Sequence, residues 1–156
     1  MNKIMLSLCL AGVIALPTLA QARPVTLITQ LKSYGGNGAY LAIYVTDAAG
    51  KYQKTLWVSG KKAKYYKNLR DWARGSGMRA SEFDGVSGAS VGSGRALKVT
   101  VDLADALIDA GYEIRVDSAV EDGRDNPAEV RTPLTTAGAG KPAAGRGYVQ
   151  SFTYGL

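Results

Sequence analysis

The chain has 156 residues, no histidine, one cysteine (Cys9) and a formal net charge of +6. With Cys9 inside an N-terminal apolar run, the body of the chain is left without disulfides, thiolate nucleophiles, histidine or cysteine metal sites, and histidine-based triads. The positive balance suits acidic partners but does not single out nucleic acid, and no nucleic-acid partner is expected.

Lys3 followed by the apolar run Ile4 to Leu16 reads as a secretory signal, too short to cross a bilayer comfortably. Thr18-Leu19-Ala20 and Ala20-Gln21-Ala22 both present small residues where a signal peptidase reads, and the second is the better site. Residues 1–22 are therefore expected to be removed. What remains is one domain, 23–156, exported to the periplasm and not spanning the membrane after cleavage. A domain of about 134 residues is large enough to be held together by packing alone.

Val25 to Leu31 alternates as a first strand, ended by Tyr34-Gly35-Gly36-Asn37-Gly38. Tyr40 to Val45 is rich in residues that fill a pleated surface and reads as a second strand. The turn Asp47 to Lys51 leads to a third strand over Tyr52 to Val58. From Lys61 the period changes. Tyr65, Leu69, Trp72 and Ala73 recur at helical spacing, with Lys62, Lys67, Arg70 and Arg74 on the other sides. One amphipathic helix is predicted, stopped by Gly75-Ser76-Gly77, with its basic face read first as a solvated surface.

Phe83 to Gly94 is rich in glycine and serine and reads as a flexible surface loop. Leu97 to Leu103 alternates as a half-buried strand, Ala104 to Ala110 is a short helix or wide turn, and Tyr112 to Asp117 is another strand. The acidic turn Glu121 to Pro127 lacks the ligand spacing of a calcium loop. Ala128 to Thr135, interrupted by Pro133, is expected at a sheet edge. Ala137 to Gly147 is a small-residue loop, and Tyr148 to Tyr154 is the last strand. About seven short strands with one inserted helix predict a mainly β chain, an antiparallel immunoglobulin-like β-sandwich.

Inside the glycine-rich segment the order Asp84-Gly85-Val86-Ser87-Gly88-Ala89-Ser90 resembles the flavinylation motif D-x-x-[ST]-G-A-[ST]. On that motif a FAD:protein FMN transferase attaches FMN through a phosphoester bond, and it occurs in FMN-carrying subunits of sodium-pumping NADH:quinone reductases. The chain as a whole, through its signal, Tyr40 to Val45, Leu56 to Lys62, Leu69 to Trp72 and the motif, resembles a family of predicted periplasmic proteins. The resemblance implies FMN on Ser90, with Asp84 and Ser87 fixing the loop or being read by the transferase, and Gly88 and Ala89 leaving the backbone thin enough to enter another protein's site. It also implies a membrane-bound redox partner. Lys61 to Arg79 would then face the phosphate or the reduced flavin, and Trp57, Tyr65, Tyr66 or Trp72 would stack on the ring. The alternative is a periplasmic binding or adaptor module that uses its basic helix to hold an acidic partner. A hydrolase using Ser87 or Ser90 lacks both histidine and a G-x-S-x-G elbow.

Overall fold

The computed structural model describes residues 21–156. All but the last two residues of the expected signal segment lie outside the described residues. The chain folds as β1 (Ala22–Leu31), β2 (Ala39–Thr46), β3 (Tyr52–Ser59), a helical stretch, β4 (Ser87–Gly88), β5 (Ala96–Ala104), β6 (Glu113–Val120), β7 (Asp125–Pro133) and β8 (Val149–Gly155). A three-stranded sheet of order β5-β1-β8 packs on a five-stranded sheet of order β4-β3-β2-β6-β7. This is the expected mainly β sandwich. All strand pairs are antiparallel except β3 with β4.

β2 explains the layering. Its sequence AYLAIYVT is buried at every position, so apolar side chains are needed on both faces of the pleat. Leu41, Ile43 and Val45 join Val25, Leu27, Leu103, Val116 and Phe152 in the core between the sheets. Tyr40, Ala42 and Tyr44 point the other way, onto Tyr66, Leu69 and Trp72 of the helical stretch. The helical stretch is thus a third layer over the middle of the large sheet.

That layer corrects the expectation of one continuous helix. Ala63–Asn68 forms a 3-10 turn and α1 (Arg70–Ser76) follows, with Leu69 between them at φ −82°, ψ 74°. The side chains drawn onto the sheet are Tyr66, Leu69 and Trp72, three residues apart. A 3-10 segment repeats every third residue, whereas a straight α-helix would carry that series off the sheet. Gly77 ends α1 in the left-handed conformation, φ 65°, as the Gly75-Ser76-Gly77 stop signal predicts.

β7 begins at Asp125, inside the stretch expected to be a turn, because the reversal is tightened by Asp122 at φ 59°. As expected, the strand lies at a sheet edge and ends at Pro133. No helix among the described residues is long and apolar enough to cross a membrane.

Candidate functional site

The Asp84-to-Ser90 segment is not a free loop. Phe83, just before it, packs edge-on against Tyr66 and Trp72, with ring centroids 5.3 and 6.1 Å away. Glu82 is clamped between the Tyr52 hydroxyl and the Arg79 guanidinium, which donate over 2.5 and 2.6 Å. These two donors hold the Glu82 carboxyl below its ordinary range, while burial and this carboxylate push the Tyr52 hydroxyl up to about 12.

The segment then runs along the exposed edge of β3. The Val58 N–H donates to the Val86 carbonyl at 2.9 Å, and the Gly60 N–H to the Gly88 carbonyl at 2.8 Å. Next it crosses to the start of β2, where Ala39 and Val91 exchange both backbone hydrogen bonds at 2.7 and 2.9 Å. Farther on, the Ser93 hydroxyl accepts from the N–H groups of Tyr34 and Gly35. Serine and glycine here serve a pinned edge strand, because their small side chains let the backbone lie close against its neighbours. Gly88 shows the need most plainly: a Cβ there would stand 2.9 Å from the Trp57 ring.

Pinning the backbone fixes where the motif side chains point. Asp84, Ser87 and Ala89 are exposed, whereas Gly88 and Ser90 are partly covered. The Lys61 N–H donates to Ser90 Oγ at 3.2 Å, which orients this oxygen. On the far side, Gly38 presents no side chain; a Cβ there would lie 3.0 Å from the Ser90 Cβ.

Lys61 is placed by Gly60. A Cβ on Gly60 would lie 2.1 Å from the Tyr40 ring and 2.9 Å from the Tyr66 ring, and the backbone has φ +157°. Gly60→Ala is therefore expected to destabilise the fold by about 2–3 kcal/mol through overpacking and backbone strain. Chemical denaturation checks this; an unchanged midpoint would show that Tyr40 yields freely.

Around Ser90 the structure gathers only part of the expected basic and aromatic set. Lys61, whose N–H meets Ser90, is exposed, as are Lys62 and Lys64 just after it, and the Lys62 amine lies 3.9 Å from the Glu121 carboxylate. The amines of Lys62 and Lys64 lie 5.8 and 4.9 Å from the Tyr65 ring centroid, and Tyr65 meets Tyr40 edge-on at 5.7 Å. Trp57 is half-buried against Gly88 and donates to Ser59 Oγ at 3.0 Å. Tyr66 and Trp72, by contrast, are buried in the core beneath the helical layer and present no face to a ligand. Farther along, Arg70 pairs with Asp125, Arg74 with Asp71 and Arg79 with Glu82, so these three serve the helical layer.

One residue with a central structural role escaped sequence reasoning. Asp117 is buried and accepts from the Tyr44 hydroxyl (2.9 Å), the Trp72 N–H (2.9 Å) and the Ala128 N–H (2.7 Å). Leu69 supplies no side-chain cap to α1, and Asp117 satisfies one of that helix's first N–H groups from the sheet below. The signal was present: Val116-Asp117-Ser118-Ala119-Val120 is mostly small or apolar, unlike a solvent-facing alternation.

Among the described residues no group of three or more acidic, histidine or cysteine side chains is placed to hold a metal ion. A family model described as "Predicted periplasmic protein (DUF2271)" matches residues 22–151. No curated protein and no solved structure matches the chain.

Proposed function

We propose that this chain, which belongs to the DUF2271 family of predicted periplasmic proteins, is a periplasmic electron-transfer protein. In this reading it carries FMN covalently on Ser90, receives it from a FAD:protein FMN transferase, and exchanges electrons with a membrane-bound redox partner. The observation that carries the reading is the order Asp84-x-x-Ser87-Gly88-Ala89-Ser90 on an accessible sheet edge, with the Ser90 oxygen oriented by the Lys61 N–H.

The residues around Ser90 fit such a group. Lys61 and Lys64 are exposed cations for a phosphodiester, and Tyr65 and Trp57 are partly exposed aromatic side chains. Attachment is a phosphoryl transfer in which the Ser90 oxygen attacks the FMN-side phosphorus of FAD. The new oxygen–phosphorus bond forms as the pyrophosphate bond breaks, AMP departs, and the hydroxyl proton passes to a base of the transferase. When bound, the isoalloxazine ring supplies one- or two-electron chemistry. The chain's own part is to hold Ser90 at an edge another protein can reach, and to place positive charge beside it.

Co-expression with a FAD:protein FMN transferase, followed by a denaturing gel viewed for flavin fluorescence, tests the reading. A fluorescent band at the size of this protein is expected. A dark band from correctly folded protein would overturn it and favour the adaptor reading, in which Lys61, Lys64 and Lys67 hold an acidic partner.

A further inference from the structure

The helical layer covers only part of the outer face of the large sheet. Beyond α1 lies a cleft of about 510 Å³, bounded by the β2–β3 turn, α1, and the paired strands β6 and β7. It opens near Thr46, at the opposite end of β2 from Ala39, where the motif is pinned. Seven residues of strand at roughly 3.3 Å each separate the two by about 23 Å, so this cleft is not part of the Ser90 site.

Its charge is unbalanced. Lys51, Arg74, Arg115 and Arg131 line it against one carboxylate, Asp71, which pairs with Arg74 at 3.3 Å. Arg115 and Arg131 are direct cross-strand partners in the β6–β7 register, and of these two like charges only Arg115 has an ion-pair partner, Glu113. Behind Arg115, Glu113 accepts from Nε and Nη2 at 3.1 Å each. The guanidinium is held on its other side by the turn, where Gly50 has φ +82° and a Cβ would stand 3.1 Å from Nη2. Only 13% of the Arg115 side chain is exposed. Arg131 is exposed and, among the described residues, forms no salt bridge. Thr46, also in the lining, has a buried hydroxyl oxygen without a hydrogen-bond partner among the described residues. A rigidly braced guanidinium, a second one facing it unpaired, and the Tyr52 ring beside them make a receptor for a planar or tetrahedral oxyanion attached to a small organic body.

We infer that the cleft between the β2–β3 turn and the β6–β7 pair binds a small organic oxyanion, with Arg115 and Arg131 as its principal ligands. Titration calorimetry at low ionic strength on the purified protein tests this, with glycerol phosphate as a phosphate monoester and succinate as a dicarboxylate. One-to-one binding is expected from at least one probe, and whichever binds more tightly identifies the class. Arg131→Gln, at an exposed edge position, should weaken that binding at least tenfold, as should Arg115→Gln. Lys98→Gln, on the other sheet, should leave it unchanged. Absence of heat with both probes at millimolar concentration would overturn the inference, as would equal weakening by Lys98→Gln, which would mark diffuse charge attraction. Ser90→Ala should bind the probe as the wild type does, so the result is independent of flavin attachment.

Discussion

Ser90→Ala is expected to leave no covalent flavin on the protein after co-expression with the transferase, and Ser90→Thr to retain it. The step needs an oxygen nucleophile at the end of the motif, and alanine removes that oxygen while changing little else. In the fold, Ser90 Oγ makes one 3.2 Å contact with the Lys61 N–H, and losing it costs about 1 kcal/mol at a partly exposed position. The melting temperature of Ser90→Ala should therefore stay within a few degrees of wild type. That separates failed attachment from failed folding. Threonine keeps the oxygen, and Gly38, which faces Ser90, sets no side chain against its extra methyl. Ser87 is the internal control: it is exposed and paired through its backbone with Val58, so Ser87→Ala should fold normally. If Ser90→Ala keeps its fluorescence and Ser87→Ala loses it, the acceptor has been misassigned; if both keep it, the motif is not the attachment site.

The elements whose signals are periodic were legible from the chain. Alternation in Leu97 to Leu103 and Tyr40 to Val45 placed β5 and β2, and Pro133 marked the edge. The motif segment was harder. Glycine and serine carry no periodicity, and the parallel pairing of Ser87 with Val58 joins residues far apart in sequence, so an edge strand read as a flexible loop. The helical stretch misled in a different way. Tyr65, Leu69, Trp72 and Ala73 satisfied an α spacing, yet tertiary packing selected Tyr66, Leu69 and Trp72 instead, because Tyr66 fills the space against Tyr40 and Phe83. Arg115 and Asp117 stood on the polar side of an alternating strand and looked solvated. The third layer buries Asp117 and leaves Arg115 in the wall of a cleft. The small and apolar run Val116 to Val120 hinted at cover for Asp117, but alternation alone does not say what covers that face, since its burial depends on where a distant helix lands.

Asp117→Ala is expected to have the largest effect on stability of any single change here, a loss of about 3 kcal/mol and about 10 °C in melting temperature. Its carboxylate joins three parts of the molecule: Tyr44 of β2, Trp72 of α1 and Ala128 of β7. Removing it strands two buried N–H groups and a phenol, whose hydroxyl burial and Asp117 together push well above its ordinary range. Asp117→Asn keeps an acceptor for Tyr44 and Ala128 but turns an amide toward the Trp72 N–H, so it should cost less than alanine and loosen α1 first. The two variants also differ from wild type in pH dependence. Burial, outweighing the three hydrogen bonds, raises the Asp117 carboxyl above its ordinary 3.8. A raised folded-state value means that the folded form binds the proton more tightly than the unfolded form. Asp117 thus contributes most below 3.8, and that contribution declines as pH rises through the folded value. The stability gap between wild type and Asp117→Asn should accordingly narrow as pH is raised from about 4 toward neutrality. Urea denaturation across that range measures it. A gap that widens would mean the hydrogen bonds outweigh burial and hold the group ionised. A melting temperature unchanged in Asp117→Ala would show that the helical layer is held by Leu69 and Trp72 packing alone.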